Sequence, residues 1–252
     1  MIDRCPTPAR ALLTKHLIVA RAQVGMSRTQ ALDHLRNRHA LLVSAASNLR
    51  RSLKRYVQNP VIEAGTVTLA CDWIVEAWYD ESIEFVEPPR EDDVLAVRED
   101  LQTFVDMAGL LRLRVFEAPI FGDRASGVVR LFSFVKRRSG CSADDFRAAW
   151  YREGSELVSA RRAAGMSMHV QNYPLRAAAA DAGYDVIDAF GFACERDASR
   201  FVERALHLPL SFQLCDESRP ATVIARAHSI FDDFDQARIS CAKSPVGAIQ
   251  AG

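Results

Sequence analysis

The chain has 252 residues and six cysteines, Cys5, Cys71, Cys141, Cys194, Cys215 and Cys241, but no C-x-x-C pair and no cysteine at zinc-finger spacing from a histidine. That scatter argues against a disulfide framework and a structural zinc site, and fits reduced thiols in a cytoplasmic protein. An excess of charge is also missing: Lys+Arg and Asp+Glu both number 32, for a net charge of zero. A protein that grips a duplex carries basic excess to neutralise phosphates, so no nucleic-acid partner is expected. No uncharged apolar run approaches the ~20 residues of a membrane-spanning helix, so no membrane partner is expected either. The first fifteen residues carry Asp3, Arg4, Arg10, Lys15 and two prolines, without the apolar core of a secretory leader. No H-x-x-H, H-E-x-x-H, G-x-G-x-x-G, P-loop or G-x-S-x-G motif occurs. Those absences argue against a dinucleotide, a nucleoside triphosphate, a serine nucleophile and a motif-borne metal, so no cofactor is expected. A haem needs only one histidine and leaves no such spacing.

What the chain does contain is an internal echo. Gly25-Met26-Ser27 is answered by Gly140-Cys141-Ser142, Tyr56-Val57-Gln58-Asn59 by His169-Val170-Gln171-Asn172, and Asp72-Trp73-Ile74 by Asp185-Val186-Ile187. The offsets are 115, 113 and 113. A period this long implies two domain-sized copies rather than a solenoid.

Each copy reads as strand, helix, strand, strand, helix, strand. Leu17-Ile18-Val19-Ala20 and Leu131–Val135 are short apolar runs that suit buried strands. Ser27 with Gln30, and Ser142 with Asp145, are helix caps. The V-Q-N strands follow, then strands at Trp73–Tyr79 and Asp185–Phe192, helices near Val94–Val105 and Ala198–His207, and closing strands at Leu111–Phe116 and Thr222–Ala227. The expected fold class is α+β: two tandem ferredoxin-like βαββαβ units, residues 16–121 and 128–232, linked near Gly122–Gly127. Each sheet has one face under its helices. The other faces are expected to cover one another and enclose a central cavity, which makes an intrachain barrel. The segment after Asp235 is polar and small, with little to hold it in place.

The order of Gly25-Met26-Ser27, His34 and His39 on one helix, Arg55-Tyr56-Val57-Gln58-Asn59, and Asp72 to Asp80 resembles the EthD-like family of dimeric α+β barrel proteins. The second copy matches in Lys136, Gly140, Ser142, Trp150, Gln171-Asn172, Tyr184-Asp185 and Ile187, and has Gly154 where the first has His39. The resemblance implies two sheets closing a barrel and a small-molecule enzyme, many relatives acting on phenolic or polyketide-like compounds without a cofactor. It also implies a homo-oligomer in the usual single-domain member, and a histidine at the place of His39.

The residues suited to proton transfer are His39, Tyr56, His169, Glu76 and His228. His39 is equally at home as a cation near a helix C-terminus. His34, five residues earlier and about 140° away on an α-helix, is expected on another face. Tyr56 shares a strand face with Gln58, and His169 with Gln171; if that face lines the barrel, a phenol and an imidazole enter one cavity. Glu76 interrupts an apolar strand. Glu117 and His228 fall at matched places just past the closing strands, and Arg21 and Lys136 at the ends of the first strands could hold a substrate carboxylate. Trp78 could wall an apolar pocket. With the resemblance, these residues imply a cofactor-independent lyase or isomerase (a decarboxylase, dehydratase or cyclase) working by acid–base catalysis on a small aromatic or polyketide-like substrate. The alternatives are a barrel-type monooxygenase and a non-catalytic carrier of an apolar ligand.

Overall fold

In the computed structural model, residues 13–62, 69–80, 91–175, 183–207, 215 and 220–233 are described. The segment after Asp235 lies outside them. The first half runs β1 (Leu13–Ala20), α1 (Arg28–His34), a π-type turn (Leu35–His39), α2 (Ala40–Ala45), α3 (Ser47–Ser52), β2 (Leu53–Pro60), β3 (Trp73–Asp80), α4 (Glu91–Phe104) and β4 (Leu111–Phe121). The second runs β5 (Val129–Val135), α5 (Ala143–Glu156), α6 (Val158–Ala163), β6 (Met166–Pro174), β7 (Val186–Phe192), α7 (Glu195–Glu203), β8 (Ala221–Arg226) and β9 (His228–Asp232).

The strands lie in the order β8-β5-β7-β6-β4-β1-β3-β2-β9, every pairing antiparallel. Each half contributes the same arrangement, its last strand beside its first, then its third, then its second. Two long strands join the halves. β4 pairs with β1 through Lys15↔Val115 to Val19↔Leu111, then crosses over and pairs with β6 from Val115↔Pro174 to Phe121↔His169. β8 pairs with β5, and after Ala227 the chain continues as β9 along β2, from Gln58↔His228 to Arg55↔Asp232. A bridge between Val61 and Ala225 closes the ring. The closing strands therefore run several residues past their apolar cores, because their outer halves pair with the opposite sheet. Glu117 and His228 consequently lie within strands rather than beyond them.

Period-two alternation sorts the side chains onto two faces. Leu17, Val19, Ile74, Leu113, Val115, Phe132, Phe134, Met168, Val170, Ile187, Ala189, Val223 and Ala225 meet inside the ring. Among the described residues, these side chains form one hydrophobic core contributed by both halves where the sequence predicts a central cavity. Bulky residues on facing strands meet there. The outward face of the first sheet packs Ala20, Tyr56, Trp73, Val75 and Ala77 beneath Ala31, Leu35, Val43 and Phe104. The outward face of the second packs Leu131, Phe190 and Phe192 beneath Ala198 and Phe201, and Val135, Tyr173 and Val186 beneath Phe146 and Trp150.

Local chemistry repeats with the topology. Ser27 closes a full capping box with Gln30, and the Ser142 hydroxyl accepts from the Asp145 N–H. The Asn59 amide donates to the Ile74 carbonyl, and that of Asn172 to the Ile187 carbonyl. Asp72 accepts from the Ala22 N–H, and Asp185 from the Arg137 N–H. The segment joining the halves begins and ends on positive-φ glycines, Gly122 (φ 79) and Gly127 (φ 83). A Cβ at Gly122 would sit 2.2 Å from the Ser167 carbonyl oxygen, so only glycine fits there.

Candidate functional site

Three constellations of buried ionisable groups stand out. The first lies between α4 and the helix that carries His34 and His39. Within the π-type turn the Ala40 N–H donates to the Leu35 carbonyl, five residues back. That extra residue per turn brings positions five apart round to one side. His34 and His39, expected on different faces, thus converge on one carboxylate. His34 Nε2 lies 2.9 Å from Asp100 Oδ1, and His39 Nδ1 lies 2.9 Å from Asp100 Oδ2. Arg38 Nε adds a third contact at 3.0 Å. Both imidazoles rest on the Phe104 ring, at centroid distances of 4.5 and 5.3 Å. Burial lowers the His39 pKa, and the hydrogen bond and charge of Asp100 offset only part of that, so the ring is neutral at pH 7. Burial pulls Asp100 the other way, but its two histidine partners hold it below the usual carboxylate range. The result is a neutral imidazole oriented through Nδ1 by an ionised carboxylate. A shallow surface groove lined by Gln23, Met26, Gln30, His34 and Arg38 opens on the His34 side of this cluster.

Beneath the same helix, Gln58 Nε2 donates to the Leu35 carbonyl at 3.0 Å and lies 3.4 Å from the Tyr56 hydroxyl. Tyr56 is buried, and desolvation raises its pKa, so the phenol stays protonated. Tyr56 and Gln58 share a face, as alternation requires, but it is the face under the helices and not the inside of the barrel.

The second constellation occupies the matching layer of the other half. His169 Nε2 lies 2.8 Å from Asp188 Oδ1, the Trp150 indole donates to Asp188 Oδ2 at 2.9 Å, and Arg161 Nη1 lies 3.5 Å from His169 Nδ1. The ring stacks on Phe190. Burial lowers the His169 pKa, with Asp188 opposing. Gln171 donates to the Trp150 carbonyl, and its amide oxygen accepts from the Tyr173 hydroxyl at 2.6 Å. Gly154 explains the missing second helix histidine: a Cβ there would meet Gln171 Nε2 at 2.5 Å and His169 Cε1 at 3.3 Å. His39 comes from the helix above its sheet, His169 from the sheet below its helix. Tyr56 and His169 therefore lie in separate layers and do not enter one cavity. The His169 cluster is fully enclosed, with side-chain exposures of 0% and 2% for His169 and Asp188.

The third constellation fills one end of the barrel interior. Lys15 Nζ lies 2.7 Å from Glu76 and 3.0 Å from Glu117. The Trp78 indole donates to Glu117 at 3.2 Å, and Arg124 pairs with the same oxygen. Lys15 and Arg55 also face the Trp78 ring, at 4.6 and 4.9 Å. Burial pushes Glu117 upward, but the Lys15 and Arg124 charges outweigh it and hold the carboxyl at about 2. Glu76 is lowered in the same way, by Lys15 and then Arg130 against burial. Glu76 and Trp78 thus belong to an ion-pair network.

Of the remaining residues singled out in the sequence, Arg21 is tied at the surface to Asp106, 2.5 Å away. Lys136 is exposed beyond β5. His228 opens β9 opposite Gln58 and lines a second shallow groove with Val128, Glu195 and Arg226. No motif or spacing in the sequence marks Asp100, Asp188 or Arg161. Asp100 sits in a helix whose charge pattern reads as solvent-facing, and only tertiary contact distinguishes it. Among the described residues no three His, Cys, Asp or Glu side chains are arranged to hold a metal ion. No described helix is long and apolar enough to cross a membrane.

No family model matches the chain, and no curated protein matches it in sequence. Solved structures do. One is an anthrone oxidase-like protein, 10% identical, with a TM-score of 0.58 over 89% of this chain and 96% of that one. Another is a mutant chlorite dismutase from Candidatus Nitrospira defluvii in complex with cyanide, 11% identical, with a TM-score of 0.50 over 91% and 96%. The fold is the dimeric α+β barrel. Both halves of that barrel are built from this one chain, and identities this low extend to the architecture alone.

Proposed function

We propose that the protein is an acid–base enzyme of the lyase or isomerase kind, acting on a small phenolic or polyketide-like molecule without a cofactor. The observation that carries this reading is the Asp100–His39 pair, with Nδ1 held at 2.9 Å. An imidazole fixed through one nitrogen by a carboxylate, and neutral at pH 7, is suited to take a proton at the other. Tyr56, a phenol kept protonated by burial beneath the same helix, is the matching donor. In decarboxylation of a hydroxyaryl-acrylic acid, His39 would take the phenolic proton and Tyr56 would protonate the side-chain carbon that bears the carboxylate, giving a quinone methide. Cleavage of the C–C bond to carbon dioxide would return its electron pair to the ring as a phenolate. The His39 proton would pass back to Tyr56, and solvent would protonate the product. Dehydration or ring closure uses the same two groups.

The reading includes descent from a duplicated EthD-like unit, residues 16–121 and 128–232, in which the first copy kept the reactive site. Three features support it: the repeated strand order, the paired Gln58 and Gln171 contacts to helix carbonyls, and the exchange of His39 for Gly154. The closed His169–Asp188 pair is then a structural counterpart. The test is turnover of aromatic acids by His39→Ala without added cofactor. A positioned base is worth ~100- to 10,000-fold, so a drop of that size in a folded variant is expected. Undiminished turnover, or product carrying oxygen from labelled dioxygen, would overturn the reading, the second in favour of a monooxygenase.

A further inference from the structure

The barrel-end network holds more positive than negative charge in its buried part. Lys15, Arg55 and Arg130 are 2%, 4% and 3% exposed, against the buried carboxylates Glu76 and Glu117. Lys15 takes both glutamates, and Arg55 Nε lies 3.2 Å from Asp232 at the rim. Arg130 differs from both. Among the described residues it has no carboxylate in ion-pair range, and its donors rest on the Ser126 and Arg124 carbonyls. Arg55 Nη2 donates to the same Arg124 carbonyl at 3.0 Å. Two guanidiniums, one from each half of the barrel, therefore converge on one neutral oxygen of the segment joining the halves. The countercharges of Arg130, Glu76 and Glu117, act only from beyond contact distance and are already paired with Lys15. That segment is held at both ends by glycines with positive φ.

We propose that Arg130 and Arg55 form a binding site for a small monocarboxylate, whose oxygens replace the Arg124 and Ser126 carbonyls when segment 123–126 moves aside between Gly122 and Gly127. The one net positive charge among the buried groups matches one negative charge, and the planar guanidinium fork matches a carboxylate better than a spherical ion. Lys15 is already committed to two glutamates, so a dianion would enter beside Glu76 and Glu117 without a second free cation. The site lies inside the barrel, on the opposite face of the sheet from His39, and does not depend on the acid–base reading.

Benzoate and inorganic phosphate serve as probes, titrated calorimetrically into the full chain at pH 7. Wild type should bind benzoate saturably and at least ten-fold more tightly than phosphate. Arg130→Met should lose at least ten-fold in benzoate affinity, while Arg98→Met, which removes an exposed arginine of α4 far from the barrel interior, should lose none. Hydrogen exchange in wild type tests the same idea without a variant: benzoate should speed exchange of the amides of residues 123–127 as they leave the guanidiniums. No benzoate binding, equal binding of phosphate, equal binding by Arg130→Met, or unchanged exchange in the joining segment would overturn the proposal.

Discussion

Glu117 offers the sharpest test of the charge network. Its carboxyl accepts from Lys15, Arg124 and the Trp78 indole, and its pKa is held at about 2 against an ordinary 4.5. A folded-state pKa depressed by about 2.5 units corresponds to about 3 kcal/mol of folding stability, at about 1.4 kcal/mol per unit. The sign follows from proton uptake: the unfolded chain binds the proton first. The contribution is therefore complete above pH 4.5 and is lost as pH falls from there towards 2. Glu117→Gln keeps the shape and removes the charge, leaving Lys15 with Glu76 alone. Urea unfolding of wild type and variant should differ by about 3 kcal/mol at pH 7, in the range for breaking a buried ion pair. The gap should narrow steadily between pH 4.5 and 2, where wild type carries a neutral carboxyl as well. A gap that is absent at pH 7, or that stays constant down to pH 2, would refute the assignment of Glu117 as the ionised anchor of the barrel end.

Asp100→Asn should move the acid limb of the rate profile to lower pH. Asp100 is what opposes the lowering of the His39 pKa by burial, and a general base works only when unprotonated; a limb that stays in place would separate the two residues functionally. Gly154→Ala should cost about 1–3 kcal/mol by overpacking. Its Cβ would meet an amide already fixed by the Trp150 carbonyl and the Tyr173 hydroxyl, and an unchanged calorimetric Tm would count against that contact. Residues 1–125 expressed alone should aggregate or self-dimerise. They leave Leu17, Val19, Ile74, Leu113 and Val115 uncovered, at about 1.5–3 kcal/mol for each large side chain; a soluble monomer in sedimentation would contradict this.

Alternation and capping are local, and they were legible. Ser27 and Ser142 start helices and the V-Q-N runs are strands, because each signal depends only on neighbours along the chain. Which face of a strand turns inward is not local. Tyr56 and Gln58 share a side in any register, yet only the packing of α1 and α4 on that side decides that they meet helices instead of the barrel core. The crossings of β4 and β9 were hidden for the same reason, since Glu117 to Phe121 and His228 to Asp232 are strands only by virtue of partners distant along the chain. His34 and His39 were separated by an ideal helix and reunited by one extra residue in a turn, a distortion that Asp100, sixty residues on, makes use of. The sequence by itself determined the main strands and helices of each half and their order. The tertiary structure decided which ionisable groups face one another, because burial and charge pairing depend on distances that no spacing along the chain encodes.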